Sequence, residues 1–327
     1  MQQHASTKHR RVPRPSFCSP ARFDAFKEHG TCFSAAELRA LAESYNASIA
    51  KSTGKLRNVV RHTQHEAPID LRSLDGMDDS ESIQHLKRAL SERLHPLQEH
   101  EWSDVLATPD KMYRQIQAAL RPRVPRAWSR NSHQWLSTSD IEVVMQQYED
   151  GYPHFKFVGV FPVDFDAKPS GIFGSCVADE MCGLSVKQLQ RKRHTSFGAI
   201  INKDKHYESG SHWVALYACF DPSSKNFGVH YFDSIAQATP APVKAFMRRI
   251  AKQIQDVTQT QAPQTANKVR LQFENTECGI FAMYFLACCI SDVQRVEDIW
   301  KAMADDGIIH MLRNVFYRPQ STVIADH

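Results

Sequence analysis

The sequence predicts an α+β fold for this chain of 327 residues. Segments with apolar residues at helical spacing and short apolar runs typical of strands follow one another without regular alternation, which argues against a doubly wound parallel sheet. Hydrophobic residues make up 42% of the chain, so wholesale disorder is excluded and a sizeable core is expected. We therefore expect a central sheet flanked by helices.

Residues 1–30 are predicted to form a basic, flexible tail. Prolines discourage regular structure there, and the basic residues before Asp24 are Lys8, Arg10, Arg11, Arg14 and Arg22. A solvated arm is the simpler interpretation, and a weak contact with nucleic acid through this tail and the later Arg/Pro-rich segment is the alternative. The tail has no apolar stretch of a secretion signal, and the chain has no run of about 18 apolar residues, so we expect neither secretion nor a membrane span.

Residues 31–120 are predicted to be an N-terminal helical arm. Ser34 and Glu37 have the spacing of a capping box, and apolar residues follow at helical spacing up to Ile49. Two further amphipathic helices are indicated between residues 83 and 120. Residues 121–130 contain four arginines and two prolines, which is typical of a linker, so the main domain is placed at 131–327.

The main domain begins with a second capping box, Ser137 with Asp140. Strands are predicted at residues 155–165, 198–202, 212–220, 227–233 and 268–273. Helices are predicted at 241–256, at 279–290, around 296–303 and from 311 toward the end. The helix at 279–290 is apolar nearly all round, which indicates a central, buried position.

The strands at 212–220 and 227–233 are predicted to form an antiparallel hairpin about the turn-rich segment 221–226. His212 begins the first strand and Asp233 ends the second, so both side chains should emerge at the same end of the hairpin. A carboxylate beside an imidazole orients the ring and stabilises its protonated form. This pair is therefore a candidate base and its orienting partner.

Cys278 is the candidate nucleophile, because it stands where the buried helix begins and a helix N-terminus stabilises a thiolate. Gly279 removes side-chain bulk where a substrate would approach. Gln272 could donate its side-chain amide to a developing oxyanion together with the backbone N–H of Cys278. Each residue alone has an ordinary structural interpretation, whereas the combination points to a thiol hydrolase.

The other cysteines have no assigned chemistry. All eight are scattered along the chain, which argues against a disulfide scaffold and for a reducing compartment. No spacing of Cys and His suggests zinc, so no metal and no cofactor are expected. His230 is a rival base, but regular strand alternation would turn it to the sheet face opposite Asp233.

Three motifs resemble the active-site motifs of the superfamily that holds the ubiquitin-like-protein (SUMO) proteases and the adenovirus maturation protease: GSHWVALY (210–217), HYFDS (230–234) and QFENTECGIF (272–281). The resemblance implies a papain-like core, with His212 as base, Asp233 as its orienter, Gln272 as oxyanion donor and Cys278 as nucleophile. It also implies that Trp135 and Trp213 could wall a narrow channel for a Gly-Gly-like substrate segment, although core packing is the alternative for both.

The sequence departs from the superfamily pattern at two positions that carry no chemistry. Glu277 stands where Asp commonly precedes the nucleophile, and Ser137 stands where Asn is common. The segments TCFSAAELRALAESYN (31–46) and HMLRNVFYRP (310–319) look like the branch from large DNA viruses. That branch implies cleavage of structural polyproteins at Gly-Gly-X sites, at viral assembly sites in the host cytoplasm and in the virion. Removal of a ubiquitin-like modifier is the alternative activity, and an inactive or nucleic-acid-tethered binding module is the alternative outside enzymes.

Overall fold

The structure is a computed structural model that describes residues 17–50, 67–131, 134–171, 174–273, 276–302 and 306–321. It confirms the α+β class: a five-stranded mixed sheet has helices packed on both faces. The sheet order is β1 to β5, with parallel outer pairs and antiparallel inner pairs. The strands are β1 (Phe155–Pro162), β2 (Ser196–Asn202), β3 (Trp213–Cys219), β4 (Gly228–Phe232) and β5 (Gln264–Ala266).

The described helices divide at residue 120 into those of the arm and those of the core. Before residue 121, the predicted tail contributes α1 (Phe23–His29), and the arm contributes α2 (Ala35–Ala50), α3 (Asp79–Arg93), α4 (Trp102–Val105) and α5 (Asp110–Ala119). The core contains α6 (Thr138–Gly151), α7 (Asp179–Cys182), α8 (Val186–Arg191), α9 (Ala241–Thr258), α10 (Cys278–Ser291), α11 (Val296–Ala302) and α12 (Asp306–Phe316). None of the described helices is long and apolar enough to cross a membrane.

Helix α10 is buried as its composition predicts. It packs against β2 and β3 on one side and against α6, α11 and α12 on the others, so nearly every side of it meets apolar atoms. Helix α9 covers the opposite face of the sheet with its apolar stripe, which includes Val243, Phe246 and Ile250. The sheet therefore lies between two layers of helices, with α10 on one face and α9 on the other.

Both capping boxes form as predicted. The backbone N–H of Ser34 donates to Glu37 at 2.7 Å, and that of Ser137 donates to Asp140 at 2.8 Å. Each box satisfies backbone donors at a helix start that would otherwise lack partners. The second box fixes the start of α6, directly after Trp135 and Leu136.

Two parts of the predicted arm and linker differ from expectation. Residues 23–29 of the predicted flexible tail form α1; the tail up to residue 16 lies outside the described residues. The linker is docked rather than free, because Arg121 is buried and donates to the carbonyl of Cys18, while Arg123 pairs with Asp104. The contacts of these arginines with distant residues, which no local pattern shows, hold the linker in place.

The strand predicted at 268–273 is wrong. In this part of the chain only β5, Gln264–Ala266, pairs with β4, and residues 267–273 form a loop. The Asn267 side chain accepts from the Asp233 N–H and donates to the Asp233 carbonyl, at 2.8 and 2.7 Å. These bonds occupy the backbone groups that a longer β4–β5 ladder would use, so pairing ends at this point.

Four of the eight cysteines form disulfides that their scattered spacing did not predict. Disulfides join Cys18 to Cys32 and Cys176 to Cys182. The first closes a segment that contains α1, and the second closes a short segment that contains α7. Spacing along the chain cannot reveal such pairs, because the pairing depends on how the intervening segments fold back. Four thiols remain, at Cys219, Cys278, Cys288 and Cys289.

Candidate active site

His212 and Asp233 meet at one end of the β3–β4 hairpin. His212 directly precedes β3 and Asp233 directly follows β4, and the antiparallel register places these two ends side by side. The His212 Nε2 atom lies 2.7 Å from Asp233 Oδ1. Asp233 is fully buried, and its Oδ1 also accepts from the backbone N–H of Ile235 at 3.0 Å. The imidazole and the Ile235 N–H therefore share the Oδ1 atom of this buried carboxylate.

Cys278 is the first residue of α10 and lies on the other side of His212. Its side chain is buried, and its interaction with the His212 ring is one of the causes that raise the pKa of that ring. Because Nε2 faces Asp233, Nδ1 is the ring nitrogen left for the thiol. The helix N-terminus adds a favourable field for a thiolate at this position. The structure therefore brings Cys278, His212 and Asp233 into one chain of contacts.

The charges of this group reinforce one another. Burial opposes the charged imidazolium, but hydrogen bonds to Asp233 and Cys278 outweigh it and raise the pKa of His212 to about 9. Burial likewise opposes ionisation of Asp233, yet its contacts with His212, the Ile235 N–H and Lys203 hold the pKa of that carboxyl below its usual value. At neutral pH the site therefore favours the imidazolium form of His212 beside the Asp233 carboxylate.

This raised pKa predicts a pH-dependent contribution of His212 to stability. The contribution is fully present below about pH 6.5, the unfolded value, and is lost as the pH rises through about 9. It should reach about 3 kcal/mol, because each tenfold change in proton affinity corresponds to about 1.4 kcal/mol. Urea unfolding of the wild type and of His212→Gln at pH 6, 7.5 and 9.5 measures the difference. A stability difference that does not change over this range would contradict the prediction.

Gln272 lies beside the hairpin end on the loop that leads to α10. Its side chain is 2% exposed, and its Oε1 accepts from the Ser234 hydroxyl at 2.6 Å. The backbone N–H groups of Leu271 and Gln272 both donate to the Ser234 carbonyl. Ser234 therefore anchors the loop next to Asp233 and orients the Gln272 amide, with its Nε2 on the side away from that hydroxyl.

The two tryptophans line one cleft. Trp135 is 42% exposed, whereas Trp213 is 9% exposed and donates its Nε1–H to the Leu136 carbonyl at 3.0 Å. Both border a cavity of about 550 Å³ that is also lined by the ends of β1 and β2 and by the segment that precedes β3. Gly279 packs behind this wall: a Cβ there would lie 2.9 Å from Leu136 Cδ1 and 3.3 Å from Trp213 Cδ1. A larger residue at 279 would therefore displace the cleft wall itself.

His230 has a structural environment. It is 4% exposed, and its ring contacts Thr265 Oγ1 at 2.7 Å and the Asn226 carbonyl at 3.0 Å. Burial lowers its pKa.

Among the described residues, no group of three His, Cys, Asp or Glu side chains is placed to hold a metal ion.

Two contacts of the site were missed from the sequence. Lys203 Nζ lies 3.2 Å from Asp233 Oδ2, the carboxylate oxygen that His212 does not use. Arg313 of α12 pairs with Glu277, the residue before the nucleophile, at 2.9 Å. The position of Lys203 near His212 could have been predicted from the strands at 198–202 and 212–220, since antiparallel pairing places the end of the first beside the start of the second. No local signal links Arg313 to Glu277.

The chain is similar in sequence to known proteases. The family model for the Ulp1 protease family, C-terminal catalytic domain, matches residues 198–325. A protein of Acanthamoeba polyphaga mimivirus named as a thiol protease is 24% identical over 317 residues, which covers 95% of this chain and 96% of the relative. The "SUMO-1 cysteine protease" of an African swine fever virus isolate is 23% identical over 202 residues, 60% of this chain and 73% of the relative.

The fold has a solved counterpart. A crystal structure of the African swine fever virus protease superposes with a TM-score of 0.58 at 17% sequence identity, over 94% of this chain and 97% of that one. The similarity therefore includes the arm as well as the sheet and its helices. The resemblance recognised in the three sequence motifs is confirmed by these matches.

Proposed function

We propose that this chain, a cysteine protease related to the Ulp1 family, is an endopeptidase in which Cys278 is the nucleophile, His212 the base and Asp233 the orienting carboxylate. The observation that carries the proposal is the position of His212, whose Nε2 lies 2.7 Å from Asp233 Oδ1 and whose ring also interacts with Cys278 at the start of α10. A thiol activated by an adjacent, oriented imidazole is the arrangement that nucleophilic acyl transfer needs.

Each step of the reaction then has an assigned group. His212 takes the proton of Cys278, and the Cys278 sulfur attacks the scissile carbonyl carbon to form a tetrahedral oxyanion. The backbone N–H of Cys278 and the amide of Gln272 donate to that oxyanion. His212 returns the proton to the leaving amine as the C–N bond breaks, which leaves a thioester. Water, deprotonated by His212, then hydrolyses the thioester and frees Cys278.

For the substrate, we assign small residues on the acyl side of the scissile bond. Trp135, Leu136 and Trp213 line the cleft, and Leu136 and Trp213 also pack around Gly279, the residue that follows Cys278. A narrow passage of this kind favours glycine, which has no side chain to accommodate. Sites of the Gly-Gly-X type fit it best.

The biological role follows from the relatives. Two proteins from large DNA viruses, named as thiol or cysteine proteases, match most of their own length to this chain. We therefore assign the chain to processing of viral structural polyproteins, at assembly sites in the host cytoplasm and in the virion. Contact with nucleic acid is not part of the proposal, because in the described part of the linker Arg121 and Arg123 are engaged in intramolecular contacts.

Removal of a SUMO-like modifier is the second candidate function. It is favoured by the match to the Ulp1 family and by the name of the African swine fever virus relative. The catalytic residues would be the same, so only the substrate separates the two activities.

Cleavage of a Gly-Gly-X peptide should fall by about 10- to 100-fold in kcat/KM when either glycine is replaced by alanine, because the added methyl must enter the tryptophan-lined passage. Kinetics on three matched peptides, with a SUMO C-terminal conjugate in parallel, measure this. Faster turnover of the conjugate than of the peptide would favour the second function. Equal cleavage of the glycine and alanine peptides would contradict the assigned specificity.

A further inference from the structure

We propose that Lys203 is a positioning residue of the catalytic centre: its ammonium group holds the second oxygen of the Asp233 carboxylate, and its charge limits how strongly that carboxylate attracts the His212 proton. The proposal rests on the proposed catalytic roles of His212, Asp233 and Cys278. It assigns a function to a residue outside the three sequence motifs.

Lys203 is tied to both members of the hairpin pair. It directly follows β2, and its backbone N–H donates to the His212 carbonyl at 2.9 Å. Its Nζ lies 3.2 Å from Asp233 Oδ2, and the same ammonium donates to the side-chain oxygen of Gln237. One residue thus fixes the backbone of the base and the side chain of its partner.

The contact is well shielded from solvent. The Lys203 side chain is 17% exposed and that of Asp233 is fully buried, so water screens their attraction much less than at an exposed pair. The two carboxylate oxygens have different partners: Oδ1 accepts from His212 and Ile235, and Oδ2 accepts from Lys203. Without Lys203, Oδ2 would lose this charged donor, and the carboxylate could rotate.

Among the described residues, Asp233 and Cys278 are the titratable groups whose interactions shift the pKa of His212, so the effect of removing a nearby charge can be measured. Asp233 faces it from the end of β4, Cys278 from the start of α10, and Lys203 stands behind Asp233 at the end of β2. Tyr231 faces Asp233 too, but burial and that carboxylate raise its pKa, so it stays neutral. Lys203 is therefore the cation that counters Asp233 in this group.

The direction of the effect follows from Coulomb's law. Removing the Lys203 charge leaves a buried carboxylate that stabilises the imidazolium more strongly, so the proton affinity of His212 should rise. A more basic His212 is a weaker acid toward the leaving amine, and a rotating carboxylate orients the ring less well. Both changes slow turnover, and neither alters the substrate cleft.

The test compares Lys203→Met, Lys203→Gln and Lys203→Arg with the control Lys244→Met, which removes an exposed charge on α9. For a Gly-Gly-X peptide, kcat and KM are measured from pH 5 to 10. The pH dependence of Cys278 alkylation by iodoacetamide gives a readout that needs no peptide turnover. Circular dichroism and thermal melting confirm that each variant is folded.

For the methionine and glutamine variants we expect kcat to fall about 10- to 100-fold, the range found for residues that orient a functional side chain, with KM unchanged within about twofold. The alkaline limb of the kcat profile and of the alkylation profile should move to higher pH. The arginine variant, which keeps the charge, should retain the wild-type limb, and Lys244→Met should match the wild type.

An unshifted alkaline limb in folded Lys203→Met and Lys203→Gln would overturn the proposal. So would failure of both variants to fold while Lys203→Arg folds normally, because Lys203 would then act on stability alone. These outcomes are distinct from failure of the proposed function, which would show as cleavage that survives loss of Cys278.

Discussion

Replacing Cys278 by serine is expected to abolish peptide cleavage, with kcat lowered by about 10⁴-fold or more, as for removal of a nucleophile in other hydrolases. A serine hydroxyl is far less acidic than a thiol, so an imidazole arranged to pair with a thiolate does not generate the alkoxide. Serine has nearly the same shape as cysteine and fits the same buried space, so the fold should persist. Peptide cleavage and a thermal melt on the same preparation test both halves of this expectation.

Cys288→Ser is the matched control. Cys288 belongs to the same helix, α10, as a free thiol, and burial raises its pKa to about 11, so it is protonated and unreactive at neutral pH. Its replacement should leave kcat within about twofold of the wild type. Cleavage by Cys278→Ser at the wild-type rate would remove the nucleophile from the proposed mechanism, whereas equal inactivity of both variants would point to disruption of the helix.

Arg313→Met is expected to lower the free energy of unfolding by about 3 to 5 kcal/mol, the cost of breaking a buried ion pair from one side. Both partners are almost inaccessible, with side-chain exposures of 4% for Arg313 and 6% for Glu277. The guanidinium also donates to the carbonyls of Gln134 and Thr276 and stacks over Trp128, 4.2 Å from the ring centre. The substitution would leave the Glu277 carboxylate buried without its charged partner.

The effect should reach the active site through the chain itself. Gln134 directly precedes Trp135, and Glu277 directly precedes Cys278, so Arg313 joins the cleft wall to the nucleophile. Urea unfolding measures the loss, and Arg248→Met on the exposed side of α9 is the control. The double variant Arg313→Met with Glu277→Gln should recover much of the stability, because it removes the unpaired charge. An unfolding free energy equal to that of the control would contradict the prediction.

The central part of the site could be predicted from the sequence because its geometry is local. The hairpin from β3 to β4 is closed by a short turn, so the positions of His212 and Asp233 follow from strand alternation and turn composition. Cys278 could be placed at a helix start because the apolar run after it has one obvious beginning. These are short-range relations, and periodicity along the chain contains them.

The loop before α10 could not be predicted in the same way. Its sequence alternates as a strand would, but hydrogen bonds from Asn267 to Asp233 and from the backbone of Gln272 to Ser234 hold it as a loop. Those bonds join residues more than thirty positions apart. Alternation of apolar and polar residues indicates which side chains can be buried. It does not indicate which acceptors the backbone N–H groups bond to.

By itself, the sequence determined the α+β class, the hairpin and the buried helix, because each depends on apolar spacing and turn residues within a short stretch. Only the tertiary structure decided the contacts that join distant segments: the disulfides, the docked linker, the pair of Arg313 with Glu277, and the contact of Lys203 with Asp233. The physical reason is that charge pairs and thiol pairs depend on distance in space, which hydrophobic patterning leaves open.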